Sequence, residues 1–281
     1  MLTLKTPSFS RIAQDVRKAS GSGALAIAAA LSLVGCASTT APQRDDPTYS
    51  TSVDAERMRL AQTRLQLGAM HFAERRYDIA LGEVSQALQA YPEYPDAYNL
   101  QGWIYLSQRD YAKADASFDR ALSLRPGDPD TRYNQGWSQC RQKNFENAYM
   151  HFDAALADVR FADAGRARTL LAKAVCLREE GKTDQVLPVL TQAYELDPGN
   201  PSIALDYARA LMESGDLQRA RFYARRLNNS EFANPASLWL GMRIDQKLGD
   251  ALAVRQQGDQ LRQRFPTSRE RDLYEQGAWN D

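Results

Sequence analysis

Residues 95–128 read PDAYNLQGWIYLSQRDYAKADASFDRALSLRPGD, and this stretch has a counterpart on either side of it. Its Gly102 recurs 34 positions away in both directions, and its small and bulky apolar residues keep the same step. The matching sets are Gly68, Gly102 and Gly136; Ala80, Ala114 and Ala148; Ala87, Ala121 and Ala155; Tyr77, Tyr111 and Phe145; and Val84, Phe118 and Phe152. A period of this length indicates a repeat protein, in which each unit buries its apolar face against its neighbours.

Each unit contains two segments with helical periodicity. In residues 95–128, Tyr98, Gly102 and Tyr105 share one face of the first helix, while Phe118 lies on the facing stripe of the second. Pro126 ends the second helix because proline lacks an N–H and disfavours helix at the preceding residue. A 34-residue helix-turn-helix unit with this pattern of small and aromatic positions is typical of the tetratricopeptide repeat.

About six such units follow one another, and the sequence predicts an all-α, right-handed superhelical solenoid. The period slips once, because the next small residue in phase after Gly136 is Ala174, so about four residues are inserted near 159–166. Pro188 lies inside a second helix and is expected to kink or shorten it. A short last helix is expected from Thr267, which opens a capping box. The predicted repeats are about 61–94, 95–128, 129–162, 167–200, 201–233 and 234–267.

The N-terminal segment has the features of an export signal. A basic stretch precedes the small apolar run Ala24–Val34, which is too short to cross a bilayer as a stable helix. The run ends in Leu33-Val34-Gly35-Cys36, which resembles the bacterial lipobox. The resemblance implies a lipoprotein signal peptide over residues 1–35 and an acylated Cys36. The alternative is an ordinary signal peptide with an incidental cysteine.

The segment that follows Cys36 is expected to tether the repeat domain. Residues 36–53 are rich in Ser, Thr, Pro and Asp, with almost no large apolar residue, so their composition predicts a flexible linker. The repeat domain is then expected to span residues 54–281. In lipoproteins of this kind an Asp after the cysteine tends to cause retention at the inner membrane. Ala37 therefore implies anchoring in the outer membrane, on its periplasmic face.

Charge and motif content argue against several classes of function. The chain carries 35 basic and 35 acidic residues, and residues 1–35 hold more of the former, so the remainder lacks the basic excess that nucleic acid requires. No phosphate-binding glycine loop, serine elbow or adjacent Cys–His pair is present. We therefore expect no enzyme, small-molecule substrate or cofactor. His71 and His151 have no second ligand at metal-binding spacing, so no metal site is predicted.

Two cysteines remain if Cys36 is acylated. Cys140 and Cys176 lie on the first helices of the third and fourth units, which are neighbours. An even pair in an oxidising compartment permits a disulfide. Their positions within the repeat differ, however, and the insertion separates them. The sequence therefore favours free thiols, with the disulfide as the alternative.

A partner-binding groove is predicted on the first helices of the second and third repeats. Its residues are Asn99, Trp103, Leu106, Tyr133 and Trp137. Aromatic side chains with an amide nearby suit an extended peptide or a helix, since Trp and Tyr dominate binding hot spots. The alternative is that both tryptophans pack between neighbouring repeats.

Several segments outside the basic repeat pattern carry a further resemblance. They are residues 133–137 (YNQGW) followed by Cys140, residues 196–201 (LDPGNP), residues 234–243 (NPASLWLGMR) and residues 264–268 (RFPTS). With the lipobox and the six-unit count, they resemble the type IV pilus biogenesis/stability lipoproteins, the PilF/PilW group of pilotins. Gln135 and Gln139 depart from the aromatic or apolar residues expected around that motif.

The resemblance implies an outer-membrane lipoprotein that binds subunits of the pilus secretin. It would promote their delivery to the outer membrane and their multimerisation there, and so support type IV pilus biogenesis and twitching motility. A general envelope scaffold that recruits cell-wall enzymes is the alternative. A component of an outer-membrane protein insertion machine is a second alternative.

Overall fold

The computed structural model describes residues 47–279, and every regular element among them is an α-helix. The helices are α1 (Pro47–Ala73), α2 (Tyr77–Ala90), α3 (Pro95–Ser107), α4 (Tyr111–Leu124), α5 (Pro129–Arg141), α6 (Phe145–Leu156), α7 (Asp163–Glu180), α8 (Thr183–Leu196), α9 (Pro201–Glu213), α10 (Leu217–Asn228), α11 (Pro235–Lys247), α12 (Ala251–Arg264) and α13 (Arg269–Glu275). Consecutive helices pack as hairpins, α1 with α2 through α11 with α12, and α13 lies against the last pair. The predicted all-α repeat fold is confirmed.

Proline and small polar residues start the first helix of most pairs. Pro95, Pro129, Pro201 and Pro235 all stand in a first helical turn, where the missing N–H has no partner to lose. Ahead of Pro129, the side chain of Asp128 accepts a hydrogen bond from the Thr131 amide at 2.9 Å. Such caps stabilise a helix by about 1 kcal/mol each, so proline or a capping side chain marks the start of most hairpins, although α7 has neither.

The turn inside each hairpin uses the left-handed backbone conformation at one residue. In the later pairs this residue is glycine, with φ of 90° at Gly181, 86° at Gly215 and 77° at Gly249. The earlier pairs place Arg75, Arg109 and Lys143 at the corresponding position, with φ of 60° to 64°. Glycine adopts this conformation without steric cost, whereas other residues rarely do. The turn geometry is therefore kept even where the sequence does not favour it.

The repeated glycines allow the two helices of a hairpin to approach closely. A Cβ added to Gly102 would come within 2.4 Å of the Phe118 ring, and one added to Gly136 within 2.6 Å of the Phe152 ring. Both rings are fully buried, and burial of each stabilises the hairpin by about 1.5–3 kcal/mol. The 34-residue spacing of Gly and Phe in the sequence thus has a direct packing cause.

The chain divides into two compact units, one ending at Leu124 and one beginning at Arg125. The core of the first is formed by α1, α2 and α3, with Phe72, Val84 and Leu100 among its buried residues. The second has a core that runs through α7–α11 and another at its C-terminal end. In that terminal core, Trp239 stacks on Trp279 with ring centroids 5.1 Å apart, so the final segment covers the last hairpin.

Helix α1 begins earlier than the sequence predicts. It starts at Pro47, so residues 47–53 are helical, although their composition predicts a linker. Proline is well placed in a first helical turn, and no proline or glycine follows before Gly68 to break the helix. The signal peptide, Cys36 and the rest of the predicted linker lie outside the described residues.

The inserted residues appear as a longer first helix in the fourth hairpin. Helix α7 has 18 residues, whereas α5 has 13. The extra turn lies at the N-terminal end of α7, where the buried ring of Phe161 covers Gly165. The slip of the period near residues 159–166 is therefore absorbed by a helical turn rather than by an extended loop.

Two local predictions are corrected. Helix α8 is not shortened by Pro188 and runs through it, because this exposed proline lies near the helix start and the carbonyl it leaves unpaired, that of Asp184, is on an exposed residue. The alternative of a kink at Pro188 stays a prediction. The last helix is capped by Ser268 rather than by Thr267. The Ser268 hydroxyl accepts from the Arg271 amide at 3.2 Å, which moves the helix start by one residue.

Cys140 and Cys176 form a disulfide, so the expectation of free thiols is wrong. The bridge joins α5 to α7, and both cysteines are fully buried. Their Cα atoms are 5.9 Å apart, within the range that a disulfide requires. The two residues differ in repeat position by about one half-turn, but the two helices pack directly against each other. The disulfide therefore forms because the two helices pack directly against each other, although the cysteines do not occupy equivalent positions in their repeats.

Candidate protein-binding surface

The compact unit that ends at Leu124 carries three of the predicted groove residues, all on α3. Leu106 is buried, and Asn99 and Trp103 are half-buried. The Trp103 ring packs against the core of the first unit. Its Nε1 is buried and donates to no acceptor in the described part of the chain. A buried donor without an acceptor costs free energy, so Trp103 combines a packing role with an unmet hydrogen bond.

A shallow recess of about 230 Å³ lies between α3 and α4 of the same unit. It is lined by Tyr98, Gln101, Tyr105, Lys113, Ala116, Ser117 and Arg120. The Lys113 ammonium lies 5.3 Å from the centre of the Tyr105 ring, and the Arg120 guanidinium 5.7 Å from the centre of the Tyr98 ring. The recess is therefore walled by aromatic rings and cations, a combination that suits polar peptide groups.

In the second unit, Tyr133 is buried beneath an ion pair. The Arg168 guanidinium of α7 lies 4.7 Å from the centre of the Tyr133 ring and 2.6 Å from the Asp130 carboxylate. Burial raises the pKa of the Tyr133 hydroxyl, Arg168 lowers it and Asp130 raises it, with burial the largest effect. Tyr133 thus packs inside the hairpin, and Arg168 and Asp130 form the surface above it.

Trp137 has a similar environment one turn along α5. It is 9% exposed, and the Arg141 guanidinium lies 5.9 Å from the centre of its ring. Arg141 also pairs with Glu179 of α7 at 3.0 Å, and both of these charged side chains are exposed. The structure gives Trp137 a packing role, and the groups it presents to a partner here are Arg141 and Glu179.

The same face continues onto α9 with a buried carboxylate. Asp206 is 1% exposed and accepts hydrogen bonds at Oδ1 from Arg209 at 2.7 Å and from Arg178 of α7 at 3.3 Å. The Arg178 Nε lies 3.8 Å from the Glu213 carboxylate without alignment for a hydrogen bond. From α5 to α9 the first helices therefore display alternating charges over an apolar base. Such a surface binds a partner through charge complementarity.

The structure buries the two aromatic residues that the sequence predicts for the groove on α5. Tyr133 and Trp137 are these aromatic residues, whereas Arg141 is exposed and Arg168 and Arg178 are half-buried. The sequence contains a signal for these arginines, since each lies on a first helix, on the same face as the aromatic residues. The five predicted groove residues are divided between the two units, and the prediction that they bind a partner stays a prediction.

Other kinds of site find no counterpart in the part of the chain that the structure describes. Between residues 47 and 279 no group of three or more His, Cys, Asp or Glu side chains is arranged to hold a metal ion. None of the helices in that range has the length and apolar composition needed to cross a membrane.

Known proteins share this arrangement of helices. Models of the tetratricopeptide repeat match residues 65–129 and 177–239. The crystal structure of PilW, a widely conserved type IV pilus biogenesis factor, is 27% identical, with a TM-score of 0.66 over 76% of this chain and 97% of PilW. No curated protein sequence matches the chain.

Two further structures share the fold alone. PilF of Pseudomonas aeruginosa is 22% identical, with a TM-score of 0.67 over 79% of this chain and 99% of PilF. YrrB, a tetratricopeptide protein with an unusual peptide-binding site, is 15% identical, with a TM-score of 0.52 over 69% of this chain and 97% of YrrB. The chain is thus an all-α protein built of tetratricopeptide repeats, and its fold is similar to those of PilW and PilF.

Proposed function

We propose that this protein is an outer-membrane lipoprotein of type IV pilus biogenesis that binds secretin subunits and promotes their localisation and multimerisation. The observation that carries the proposal is the similarity to PilW, which extends over nearly the whole of that pilus biogenesis factor. YrrB, which shares the repeat fold, is covered to the same extent, but its identity to this chain is 15% whereas that of PilW is 27%. The charged face on α5, α7 and α9 is the surface that holds the secretin subunit.

The buried disulfide between Cys140 and Cys176 supports export from the cytoplasm. Disulfides persist in oxidising compartments such as the periplasm and are rare where thiols are kept reduced. The lipobox ending in Cys36 supplies the membrane anchor in this proposal. Several acyl chains together hold a protein stably, because each buried methylene contributes about 0.8 kcal/mol.

The proposal is tested by measuring secretin assembly in the outer membrane of cells that lack this protein. We expect heat- and detergent-resistant secretin multimer to disappear while secretin monomer persists, and a plasmid copy to restore the multimer. Unchanged multimer would contradict the proposal. A general loss of outer-membrane proteins would instead favour an insertion machine, and recovery of cell-wall hydrolases in place of secretin would favour a general scaffold.

Replacement of the lipidated cysteine should separate anchoring from binding. In a Cys36→Ala strain we expect secretin multimers to be lost from the outer membrane, while the purified variant still binds secretin subunits. Membrane fractionation and co-purification provide the two measurements. Cys140 is not a suitable control because it is in a disulfide, so Ser38→Ala, two residues beyond Cys36, serves instead. Outer-membrane multimers at normal abundance in the Cys36→Ala strain would contradict the prediction.

Reversal of one charge on the proposed binding face should weaken secretin binding without unfolding the domain. Arg141→Glu places two acids side by side, because Arg141 pairs with the exposed Glu179. We expect the Kd for purified secretin subunit to rise at least about tenfold. The unfolding free energy should change by less than about 1 kcal/mol, because exposed ion pairs contribute little.

The matched control for Arg141→Glu is Arg160→Glu. Arg160 lies in the turn before α7, is 83% exposed and also pairs with a neighbouring acid, Asp158. Its reversal changes the net charge by the same amount at a position away from the proposed face. Equal weakening by the two variants would show a general effect of net charge and would remove the binding role of this face.

A further inference from the structure

In the compact unit that begins at Arg125, the second helix of one hairpin exposes a large aromatic side chain. Phe222 of α10 is 62% exposed, while the same helix buries Ala220, Ala224 and Leu227. Burial of such a ring on binding is favourable because it removes apolar surface from water. A side chain of this kind on a folded surface marks a place where a partner can gain affinity.

Phe222 rests on a cluster of three tyrosine rings. Its ring centroid lies 5.1 Å from that of Tyr223, at nearly a right angle. Tyr223 in turn lies 5.0 Å from Tyr194 of α8 and 4.9 Å from Tyr207 of α9. Because the ring packs on one of these tyrosines at its base, it loses little conformational freedom on binding. Such preorganisation is what distinguishes a binding anchor from a mobile surface residue.

Two arginines on either side of Phe222 are held by the hydroxyls of this cluster. Arg219 donates to the Tyr207 hydroxyl at 2.7 Å, and Arg226 donates to the Tyr194 hydroxyl at 3.0 Å. They stand three residues before and four residues after Phe222, which places all three side chains on one face of α10. The guanidinium groups are therefore positioned at the two ends of the exposed ring.

Positive charge on this face is concentrated at the Arg226 end, because the other three arginines of α10, which are Arg219, Arg221 and Arg225, lie near carboxylates. Helix α10 contains four arginines and no acidic residue. Arg219 pairs with Asp216 at 3.4 Å, and Arg225 lies 3.5 Å from Asp245. Among the described residues, no carboxylate lies within ion-pair distance of Arg226, which is exposed. A ligand with negative charge at the Arg226 end and an apolar group at Phe222 would complement this face.

We infer that the α10 face formed by Arg219, Phe222 and Arg226 is a docking site for an extended acidic segment of a partner protein. The two arginines are seven residues apart in the helix, a rise of about 10 Å. Side chains of an extended chain alternate between its two faces, and four residues cover about 13 Å. The segment therefore carries two acids four residues apart, with an apolar side chain midway between them that packs on Phe222, and the long arginine side chains span the small difference in length. This site lies on second helices and does not depend on secretin binding by the first-helix face.

The test uses a dye-labelled peptide of sequence Gly-Glu-Gly-Phe-Gly-Glu-Gly and the full-length chain in a neutral detergent. Fluorescence anisotropy should give saturable binding with a Kd of about 1 mM or lower. Affinity should fall as salt increases, because the contacts are between exposed charges. A second peptide with Gln in place of both Glu residues should not bind.

Two variants and one control locate the site. Phe222→Ser and Arg226→Gln should each weaken peptide binding at least about tenfold, with unchanged circular dichroism because both side chains are exposed. Met150→Ser is the control, since Met150 occupies the corresponding position of α6 and is 57% exposed. It should leave the affinity unchanged.

Several results would overturn the inference. They are the absence of saturable binding, equal binding of the Gln peptide, and full affinity in the Phe222→Ser variant. A fourth is binding of phosphatidylglycerol vesicles that depends on Phe222 and Arg226 when the peptide does not bind, since the face would then contact lipid. Secretin multimerisation is measured separately, so failure of either proposal leaves the other testable.

Discussion

Reduction of the disulfide between Cys140 and Cys176 should lower the free energy of unfolding by about 3–4 kcal/mol. The bridge closes a loop over a sequence separation of 36 residues. In the chain-entropy treatment, a loop of this size restricts the unfolded chain by that amount. The loss is large because repeat domains derive stability from contacts between neighbouring helices, and this bond joins α5 to α7 across the inserted turn. Urea unfolding with and without dithiothreitol measures it.

The double variant Cys140→Ala, Cys176→Ala provides the control for reduction. Both side chains are fully buried, so alanine avoids the unpaired hydroxyls that serine would bury. The variant should unfold at the urea concentration at which the reduced wild-type protein unfolds, and dithiothreitol should not affect it further. A difference below about 1 kcal/mol between the oxidised and reduced wild-type protein would contradict a stabilising role.

The sequence predicts the helices well because their determinants are local. The Gly102–Phe118 approach follows from residues within one hairpin, and Pro95 and Pro129 mark helix starts without reference to the rest of the chain. Periodicity also locates the inserted residues, since any insertion shifts the phase of every later repeat. Even so, the sequence cannot show whether the insertion forms a loop or, as in α7, a helical turn.

Features that depend on two different hairpins are not visible in the sequence. The disulfide depends on how α5 and α7 pack, and the repeat positions of its cysteines suggested the opposite outcome. The burial of Tyr133 likewise depends on Arg168, which lies 38 residues beyond Asp130 in the chain and covers the ring. An aromatic residue at a position expected to face a groove therefore does not by itself identify the groove.

Both proposed binding surfaces combine arginine side chains with aromatic rings, but they expose different groups. On the first helices, arginines cover buried aromatic rings, as Arg141 does with Trp137, and the charges meet the partner. On α10 the tyrosine rings support the arginines, and Phe222 stays exposed. The first surface should therefore be selective for charge, whereas the second also requires an apolar side chain. Added salt and the replacement of apolar side chains should therefore affect partner binding differently at the two surfaces.

Substitution of Asp245 should give the largest loss of stability among the charged residues of the second unit. Asp245 is 1% exposed, and its carboxylate accepts from Gln257 of α12 at 2.8 Å. The Arg221 Nε lies 2.7 Å from it, with an N–H not aligned for a hydrogen bond, and Arg225 lies 3.5 Å from it. One buried carboxylate thus connects α10, α11 and α12.

The neighbouring groups cannot compensate for its removal. Arg221 also contacts Asp250, which already accepts from the Ala253 amide as the cap of α12. Gln257 is held against Gly241, where a Cβ would come within 2.2 Å of its side-chain oxygen, so the amide has little room to find another partner. Asp245→Ala would remove the shorter hydrogen bond of the buried Gln257 amide, which keeps a bond of 3.3 Å to the Ala253 carbonyl, and would remove one of the two carboxylates that contact the Arg221 guanidinium.

We expect Asp245→Ala to lower the free energy of unfolding by about 3 kcal/mol, near the lower end for breaking a buried pair because Arg221 and Arg225 keep some solvent contact. Asp245→Asn keeps the shape and one acceptor, so it should lose less. Asp259→Ala is the matched control, since Asp259 is on α12, pairs with Arg262 at 2.9 Å and is 61% exposed. It should cost less than about 1 kcal/mol. If urea unfolding gave equal losses for Asp245→Ala and Asp259→Ala, the buried carboxylate would have no special role in joining the three helices.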